Sequence, residues 1–233
     1  MESRSYSTLQ QRIGYKFNDL NLLKNALTHS SYANEAGLPF SKNNERLEFI
    51  GDAYLDAFIG IALFSLMPKV REGVLSKRRS EIVCEKTLVQ VASEIGLGEY
   101  ILLGKGEEIG KGRRKPSILA DSLEAVIGAI VLDGGSKEAE RVVLDLFNHS
   151  ITLSVQGRLN QDYKSMLQEK LQEKYRDIRI EYREISEKGP DHAKEFVIGL
   201  YVNGKELGTG AGSSKKEAEQ NAAENVLKRK DLK

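Results

Sequence analysis

The sequence predicts two domains: an all-α domain over residues 1–153 and a small α+β domain over residues 162–233, joined by a linker at 154–161. Helical periodicity runs through the first part and is interrupted only by short Gly- or Pro-containing breaks. The segment SVQGRLNQ (154–161) is polar, contains Gly157 and has no periodicity, which is typical of a linker. The pattern then changes to the order α-β-β-β-α.

In the second domain, each element has its own signal. Asp162 is a predicted N-cap for the amphipathic helix YKSMLQEKLQEKY. The segments IRIEYREIS (178–186) and KEFVIGLYVN (194–203) have the composition and alternation of strands. Asn203-Gly204 predicts a two-residue hairpin into a third strand, KELGTGAG. The segment KKEAEQNAAENVLKRK, which follows a capping box, forms the last helix.

Composition limits the class of protein. The chain has 233 residues, 40% of them hydrophobic and 30% charged, as in ordinary globular proteins, and its single cysteine allows no intramolecular disulfide. The segment MESRSYSTLQQR lacks the apolar run of a secretory signal, so a cytoplasmic location is expected. The apolar run at 57–67 is shorter than the about 20 residues that a membrane span needs. It predicts a buried core helix and no membrane partner.

A first group of carboxylates lies in NNERLEFIGDAYLD (43–56). At about 100° per residue, Glu45, Glu48 and Asp52 fall within a sector of roughly 60°. The packing side is predicted to hold Leu47, Ile50, Tyr54 and Phe58. A solvated polar face is the ordinary interpretation. However, no Lys or Arg follows at helical spacing to pair these carboxylates, and like charges so placed destabilise a helix. A divalent cation would reverse that effect, and Asp56 is peripheral.

A second group lies in SILADSLEAVIGAIVLDGG (117–135), where Asp121 and Glu124 interrupt an almost wholly apolar helix. Such a helix is buried, and an enclosed carboxylate must be paired, protonated or bound to a metal ion. Glu72 precedes a basic run in REGVLSKRRSEI. Oxygen ligands without a His or Cys ligand spacing favour Mg²⁺ or Mn²⁺ over zinc, and the three histidines are interpreted as structural or surface residues. This chemistry suits phosphodiester hydrolysis.

Three motifs in order, NERLEFIGDAYLD, EGVLSKRRS and SILADSLEAVIG, resemble the signature segments of bacterial ribonuclease III. The second domain, which contains GSSKKEAEQNAA, resembles a double-stranded RNA-binding domain. The resemblance implies a homodimeric, Mg²⁺-dependent endoribonuclease, with Mn²⁺ as a substitute, that cuts double-stranded RNA. The implied products have 5′-phosphate and 3′-hydroxyl ends with short 3′ overhangs. The implied substrates are precursors of rRNA, mRNA and other RNAs.

The resemblance also assigns roles to residues. Those implied around the catalytic metals are Glu45, Asp52, Asp121 and Glu124, with Glu124 a direct ligand. Glu48 and Glu72 are implied to line the same acidic valley, in product release or in binding a further metal ion. Phe49, on the acidic side of its helix, is implied to dock into the partner subunit. The alternative is that Phe49 packs under a neighbouring helix of its own chain.

Duplex RNA is read through 2′-hydroxyls in the minor groove and phosphates across the major groove. Lys215 and Lys216 open the last helix, where free amides favour phosphate, and the resemblance implies that they contact the backbone. Minor-groove contacts are implied for Gln168, Glu169, Gln172 and His192. Each of these residues has an ordinary surface interpretation when taken alone. GKGEEIGKGRRK (104–115) does not have P-loop spacing and is predicted to be a mobile basic loop near the RNA.

Two other functions are compatible with parts of this pattern. A duplex-binding protein that does not cleave RNA would result if the acidic groups were only structural. A helical phosphohydrolase acting on small molecules would leave the second domain without a role.

Overall fold

The computed structural model describes residues 6–159, 163–174, 178–189, 194–212 and 214–229. The chain divides into two compact units, Met1–Leu159 and Asn160–Lys233. The first, hereafter the helical unit, is built from helices, and the second, the sheet unit, has the predicted order α-β-β-β-α. The predicted fold class is therefore confirmed. The predicted N-cap Asp162 lies outside the described residues.

The helices of the helical unit have the following bounds: α1 Tyr6–Ile13, α2 Leu20–Ala26, α3 Ser30–Glu35, α4 Glu45–Leu66, α5 Glu72–Ile82, α6 Glu85–Glu94, α7 Lys105–Ile109, α8 Pro116–Gly134, α9 Ser136–Leu146 and α10 Asn148–Val155. Short 3₁₀ turns lie at Phe40–Lys42, Leu97–Glu99 and Gly112–Arg114. Packing of the helical unit extends into the segment predicted as a linker, because α10 ends at Val155 and Leu159 is buried in the core.

The sheet unit contains α11 (Tyr163–Lys174), β1 (Ile180–Lys188), β2 (Glu195–Val202), β3 (Lys205–Gly212) and α12 (Lys215–Leu227). The strands form one antiparallel sheet in the order β1-β2-β3. Asn203 and Gly204 both have positive φ, 49° and 81°, as a type I′ hairpin turn requires. Apolar side chains of both helices pack on the sheet: Leu167, Leu171, Ala222, Ala223 and Val226 with Leu200.

The core of the helical unit surrounds α4 and α8. Helix α8 is buried around most of its circumference, as its apolar sequence predicts. The buried stripe of α4 differs in part from the predicted one: Leu47 and Phe58 are buried, but Tyr54 is 37% exposed and Ile50 is half-buried. The stripe instead includes Gly51, which has no side chain for hydrophobicity to detect. The packing face therefore lies closer to the acidic sector than predicted.

The prediction that 57–67 forms a wholly buried helix is wrong. Ile61, Phe64 and Leu66 are 56%, 71% and 56% exposed, so α4 is apolar on a solvent-facing side as well as on its buried stripe. Among the described residues, α4 alone has the length and hydropathy of a possible membrane span. It nevertheless packs against α8 in the core and carries the first carboxylate group, which fits a core helix.

Candidate active site

Helices α4 and α8 cross with their backbones in contact. A Cβ atom at Gly51 would lie 1.8 Å from the carbonyl oxygen of Glu124, and one at Gly128 would lie 2.1 Å from the carbonyl oxygen of Leu47. Both positions therefore require glycine, because every other residue would force the helices apart. The crossing brings the first carboxylate group next to the second, which lies about 70 residues later in the sequence.

Three carboxylates come together at this crossing. Carboxylate oxygens of Glu48, Asp121 and Glu124 lie within 4.8 Å of one another, and all three side chains are half-buried. Within the described ranges, none of them has a Lys, Arg or His at salt-bridge distance. Two carboxylates about 4 Å apart repel by roughly 4 kcal/mol at an effective dielectric constant of about 20. These three residues, the acidic cluster, are therefore held together by the fold against their own repulsion.

Glu124 shows the effect of this repulsion most strongly. Burial first, and then the charges of Asp52, Glu48, Asp121 and Asp56, raise the pKa of the Glu124 carboxyl to about 8. At neutral pH and without a cation, this carboxyl is protonated. A bound cation would favour its ionised form, so cation binding at the cluster is coupled to proton release.

The other two members are shifted in the same direction. Burial raises the pKa of Glu48, with further increases from Asp121, Glu45 and Asp52. Burial also raises the pKa of Asp121, while the neighbouring His29 opposes the increase. Burial is the largest cause at all three sites, so the cluster is a partly buried group of acids and not a fully solvated polar face.

Three further predicted acids, Glu45, Asp52 and Asp56, lie outside the cluster but affect the pKa values of its members. Glu45 and Asp52 are exposed, and their charges act on Glu48 and Glu124. Asp56, which was predicted to be peripheral, has the smallest effect on Glu124 and lies 3.8 Å from the Arg79 guanidinium.

Glu72 does not join the acidic cluster in the single chain. It accepts a hydrogen bond from Ser76 at the start of α5. It is not among the charges that shift the pKa of any cluster member.

Phe49 lies on a broad exposed apolar face of α4. The side chain is 79% exposed, so the alternative that it packs under a helix of its own chain is wrong. At about 100° per residue, Phe49, Tyr54, Ile61 and Phe64 occupy a sector of about 140°. We call these four residues the apolar face of α4. An exposed apolar face of this kind marks an interaction surface.

The segment 104–115 forms α7 and a 3₁₀ turn, whereas a basic loop was predicted. Arg113 fixes it: its guanidinium donates to the carbonyl oxygens of Gly98 and Ile101 at 3.1 and 2.8 Å and to Glu108 at 2.8 Å. Four basic side chains remain exposed: Lys105, Lys111, Arg114 and Lys115. One of the segment's basic side chains thus anchors its backbone and is not presented to solvent.

The sheet unit presents the predicted duplex-contact residues on its helices. Lys215 and Lys216 are exposed at the first turn of α12, where the Ser214 hydroxyl accepts from the amide of Glu217. The exposed side of α11 carries Gln168, Glu169 and Gln172. His192 lies outside the described residues. The Lys215 ammonium makes a 2.7 Å ion pair with Glu184 on β1.

The sequence interpretation missed the two crossing glycines and the position of His29. A glycine in a helix interior is unfavourable by about 1 kcal/mol relative to alanine. Gly51 and Gly128, each beside a carboxylate group, could therefore have indicated a close helix crossing at these positions. His29 was interpreted as structural, and it does cap α3. Its proximity to Asp121 could not be read from spacing, because 92 residues separate the two positions (121 − 29).

Comparison with known proteins agrees with this architecture. Residues 19–150 match the family model described as Ribonuclease-III-like, and residues 163–230 match the double-stranded RNA binding motif. Ribonuclease 3 of Borreliella afzelii is 49% identical over 222 residues, which cover 95% of this chain and 90% of that protein. Ribonuclease 3 of Caldanaerobacter subterraneus subsp. tengcongensis is 47% identical over 219 residues, covering 94% and 95% respectively.

A solved nuclease domain of ribonuclease III from Campylobacter jejuni superposes with a TM-score of 0.59 at 44% identity, covering 63% of this chain and 98% of that domain. Fold, acidic cluster and second unit together define an endoribonuclease with a double-stranded RNA-binding domain. The chain belongs to the ribonuclease III family. The small-molecule phosphohydrolase hypothesis is thereby excluded.

Proposed function

We propose that this protein is a Mg²⁺-dependent endoribonuclease that hydrolyses double-stranded RNA at the acidic cluster. The observation that carries the proposal is the approach of the Glu48, Asp121 and Glu124 carboxylates to within 4.8 Å of one another. We further propose products with 5′-phosphate and 3′-hydroxyl ends and short 3′ overhangs, precursors of rRNA and mRNA as substrates, and a cytoplasmic location.

The donor set fits a hard divalent cation. The cluster offers carboxylate oxygens without a sulfur or imidazole ligand among them, and oxygen ligands suit Mg²⁺, with Mn²⁺ as a substitute. The raised pKa of Glu124 supports the same assignment, because enclosed like charges need a positive charge beside them. When bound, such a cation polarises the phosphodiester and activates the attacking water.

The chain's own residues then have distinct tasks. Glu124 would give up its proton to become a ligand, and Glu48 and Asp121 would complete the site from two different helices. Asp52 and Glu45, which are exposed beside the cluster, are positioned to contact further cations or ordered water. Glu72 is assigned only a peripheral role, since the single chain does not place it among the cluster charges.

A cleavage assay on a long RNA duplex tests the proposal. The native protein should give fragments with Mg²⁺ and none with EDTA. For Glu124→Gln we expect retained duplex binding and a loss of cleavage greater than about 100-fold, because removing a group that only orients a metal ligand already costs about 10- to 100-fold. The matched control is Glu94→Gln on α6, an exposed carboxylate that accepts only from Gln90. Binding without fragments from the native protein would establish the non-cleaving alternative.

We also propose that the protein is a homodimer assembled through the apolar face of α4. Phe49 and Phe64 are 79% and 71% exposed there, and aromatic side chains of this kind are typical interface anchors. The Campylobacter domain is itself described as having a region involved in dimer formation.

Sedimentation equilibrium tests the dimer. Phe64→Asp should shift the native dimer towards monomer, whereas Ile109→Asp should not. Ile109 is 84% exposed but lies on α7, so it controls for the loss of an exposed apolar side chain elsewhere. A dimer of unchanged affinity in Phe64→Asp would contradict the assignment of this face.

A further inference from the structure

His29 holds its imidazole ring in one orientation at the start of α3. Its Nδ1 accepts from the Ser31 amide at 3.2 Å and lies 2.8 Å from the Ser31 hydroxyl. The same hydroxyl oxygen accepts from the Gly104 amide at 2.9 Å, which leaves its own proton to donate to Nδ1. Both contacts require a lone pair on Nδ1. The ring proton is therefore on Nε2, and the Nε2–H group points away from the cap.

The backbone around His29 is tied to both halves of the active site. The Thr28 carbonyl accepts from the amide of Asn44, the residue that precedes α4. The His29 amide donates to the Leu102 carbonyl at 3.0 Å, in the segment that leads towards α8. Backbone hydrogen bonds thus join this stretch to the residue before α4 and to the segment at Leu102.

His29 lies close to the carboxylates of α4, because Asn44, whose amide donates to the Thr28 carbonyl at 2.9 Å, directly precedes Glu45 at the start of that helix. A positive charge on the His29 ring would oppose the burial-driven rise in the pKa of Asp121. It also adds to the lowering of the Glu107 pKa, which is due mainly to the hydrogen bond from Lys115. In the described part of the chain, Nε2 has no hydrogen-bond partner. The result is an oriented, half-buried N–H donor beside the metal-binding carboxylates, with its hydrogen bond still to be made.

We infer that the hydrogen-bond acceptor for the Nε2–H group of His29 is supplied by the substrate. Among the described residues, Asp121 does not accept a hydrogen bond from Nε2, although the two side chains are close enough for a charge on the ring to change the pKa of Asp121. At a site that cleaves RNA, the group brought against the carboxylates is a phosphodiester with two unesterified oxygens. A fixed N–H donor beside that group makes a hydrogen bond to a charged acceptor, which is the stronger kind.

We propose that His29 binds a phosphate oxygen of the RNA strand held at the acidic cluster, donating from Nε2. This inference rests on the proposed double-stranded RNA cleavage. It gives His29 two separate roles in one ring, since Nδ1 caps α3 and Nε2 contacts the substrate.

Substitutions can separate the two roles. Asn at position 29 keeps a good N-cap acceptor for the Ser31 amide but has no atom at the Nε2 position. Gln places an amide N–H near the Nε2 position but is a poorer N-cap. Ala removes both functions. Thermal denaturation should therefore rank His29→Asn close to the native protein, above His29→Gln and His29→Ala.

Single-turnover cleavage of a saturating duplex with Mg²⁺ should give a different order. We expect His29→Asn and His29→Ala to lose roughly 10- to 100-fold in rate, the effect of one hydrogen bond to a charged group. His29→Gln should retain a rate within about fivefold of native. The Mg²⁺ concentration that gives half of the maximal rate should be the same in all variants.

Three outcomes would overturn the proposal. His29→Asn could cleave at the native rate, or the cleavage rates of the variants could follow the order of their thermal stabilities. Alternatively, the native rate could be restored in a variant by raising the Mg²⁺ concentration. The last would assign His29 to cation binding through Asp121. Failure of the proposed function is distinct, because the native protein itself would then give no fragments.

Discussion

The two units treat charge in opposite ways. The helical unit gathers Glu48, Asp121 and Glu124 without a basic partner among the described residues. The sheet unit pairs its basic side chains with acids of its own: Lys215 with Glu184, Lys164 with Glu219, and Lys194 with Glu187, at 2.7, 2.7 and 2.6 Å. The cluster of the first unit has no basic partner in the part of the chain that the structure describes, whereas in the second unit these three lysines are already paired before RNA binds.

This difference sets what each unit must do when its ligand binds. In the helical unit, repulsion between enclosed carboxylates is relieved by a cation, so the ligand stabilises the fold. In the sheet unit, a phosphate that binds one of these three paired lysines must displace a carboxylate from it, and the gain is the difference between two similar interactions. The first interaction is expected to be strong and local, the second weak and dependent on salt.

The largest effect is expected from changing the crossing that creates the acidic cluster. Gly51→Ala would place a Cβ atom 1.8 Å from the Glu124 carbonyl oxygen, so α4 and α8 must separate. Overpacking of this kind costs about 1–3 kcal/mol or more. We expect a lower free energy of unfolding in urea together with a loss of cleavage.

Gly73→Ala is the matched control for this substitution. Gly73 is also helical, in the first turn of α5, but an added Cβ would meet no atom within 4 Å. This variant should be neutral or more stable by up to about 1 kcal/mol, because alanine favours the helix. Equal stability of Gly51→Ala and the native protein would mean that the helices do not need this contact.

The next largest effect is expected for Glu124, in the way that the free energy of unfolding of the metal-free protein changes with pH. Glu124 has a pKa of about 8 in the folded state and an ordinary value of 4.5. Between these values the folded protein holds a proton that the unfolded chain has released, so the free energy of unfolding falls as pH rises. Urea denaturation in EDTA at about pH 5 and about pH 8 measures this fall. It should be smaller in Glu124→Gln, and identical slopes would show that Glu124 is not the titrating group.

A smaller effect is expected in the sheet unit, on the salt dependence of RNA binding. Lys215→Ala combined with Lys216→Ala should weaken duplex binding and reduce the slope of log affinity against log salt by about one per lost phosphate contact. Lys228→Ala is the control, since Lys228 is exposed at the opposite end of α12 and pairs with Glu224. An unchanged slope in the double variant would reject a phosphate-binding role for this helix start.

The smallest effect tests the internal pairing itself. Glu184→Gln frees Lys215 from its 2.7 Å partner, so duplex affinity should rise, by at most about fivefold, since an exposed pair contributes about 0–1 kcal/mol. The same substitution in a Lys215→Ala background should give no gain. A gain in both backgrounds would indicate a general charge effect and not release of this lysine.

Several features of the fold could be predicted because they depend on local sequence. The order α-β-β-β-α follows from periodicity and from the Asn203-Gly204 turn, whose positive φ angles the structure confirms. Burial of α8 follows from its apolar composition. The buried stripe of α4 was predicted only in part, because it includes Gly51, a residue that packs through its backbone.

The sequence by itself determined which residues carry the chemistry: two carboxylate groups at helical spacing without partners, and a basic start to the last helix. Tertiary structure alone decided which of them meet. The glycine crossing of α4 and α8 selects Glu48, Asp121 and Glu124 and does not bring in Glu72, and burial raises the pKa of Glu124 to about 8. The physical reason is that side-chain type and local spacing are written along the chain, whereas desolvation and charge repulsion depend on distances between residues far apart in sequence.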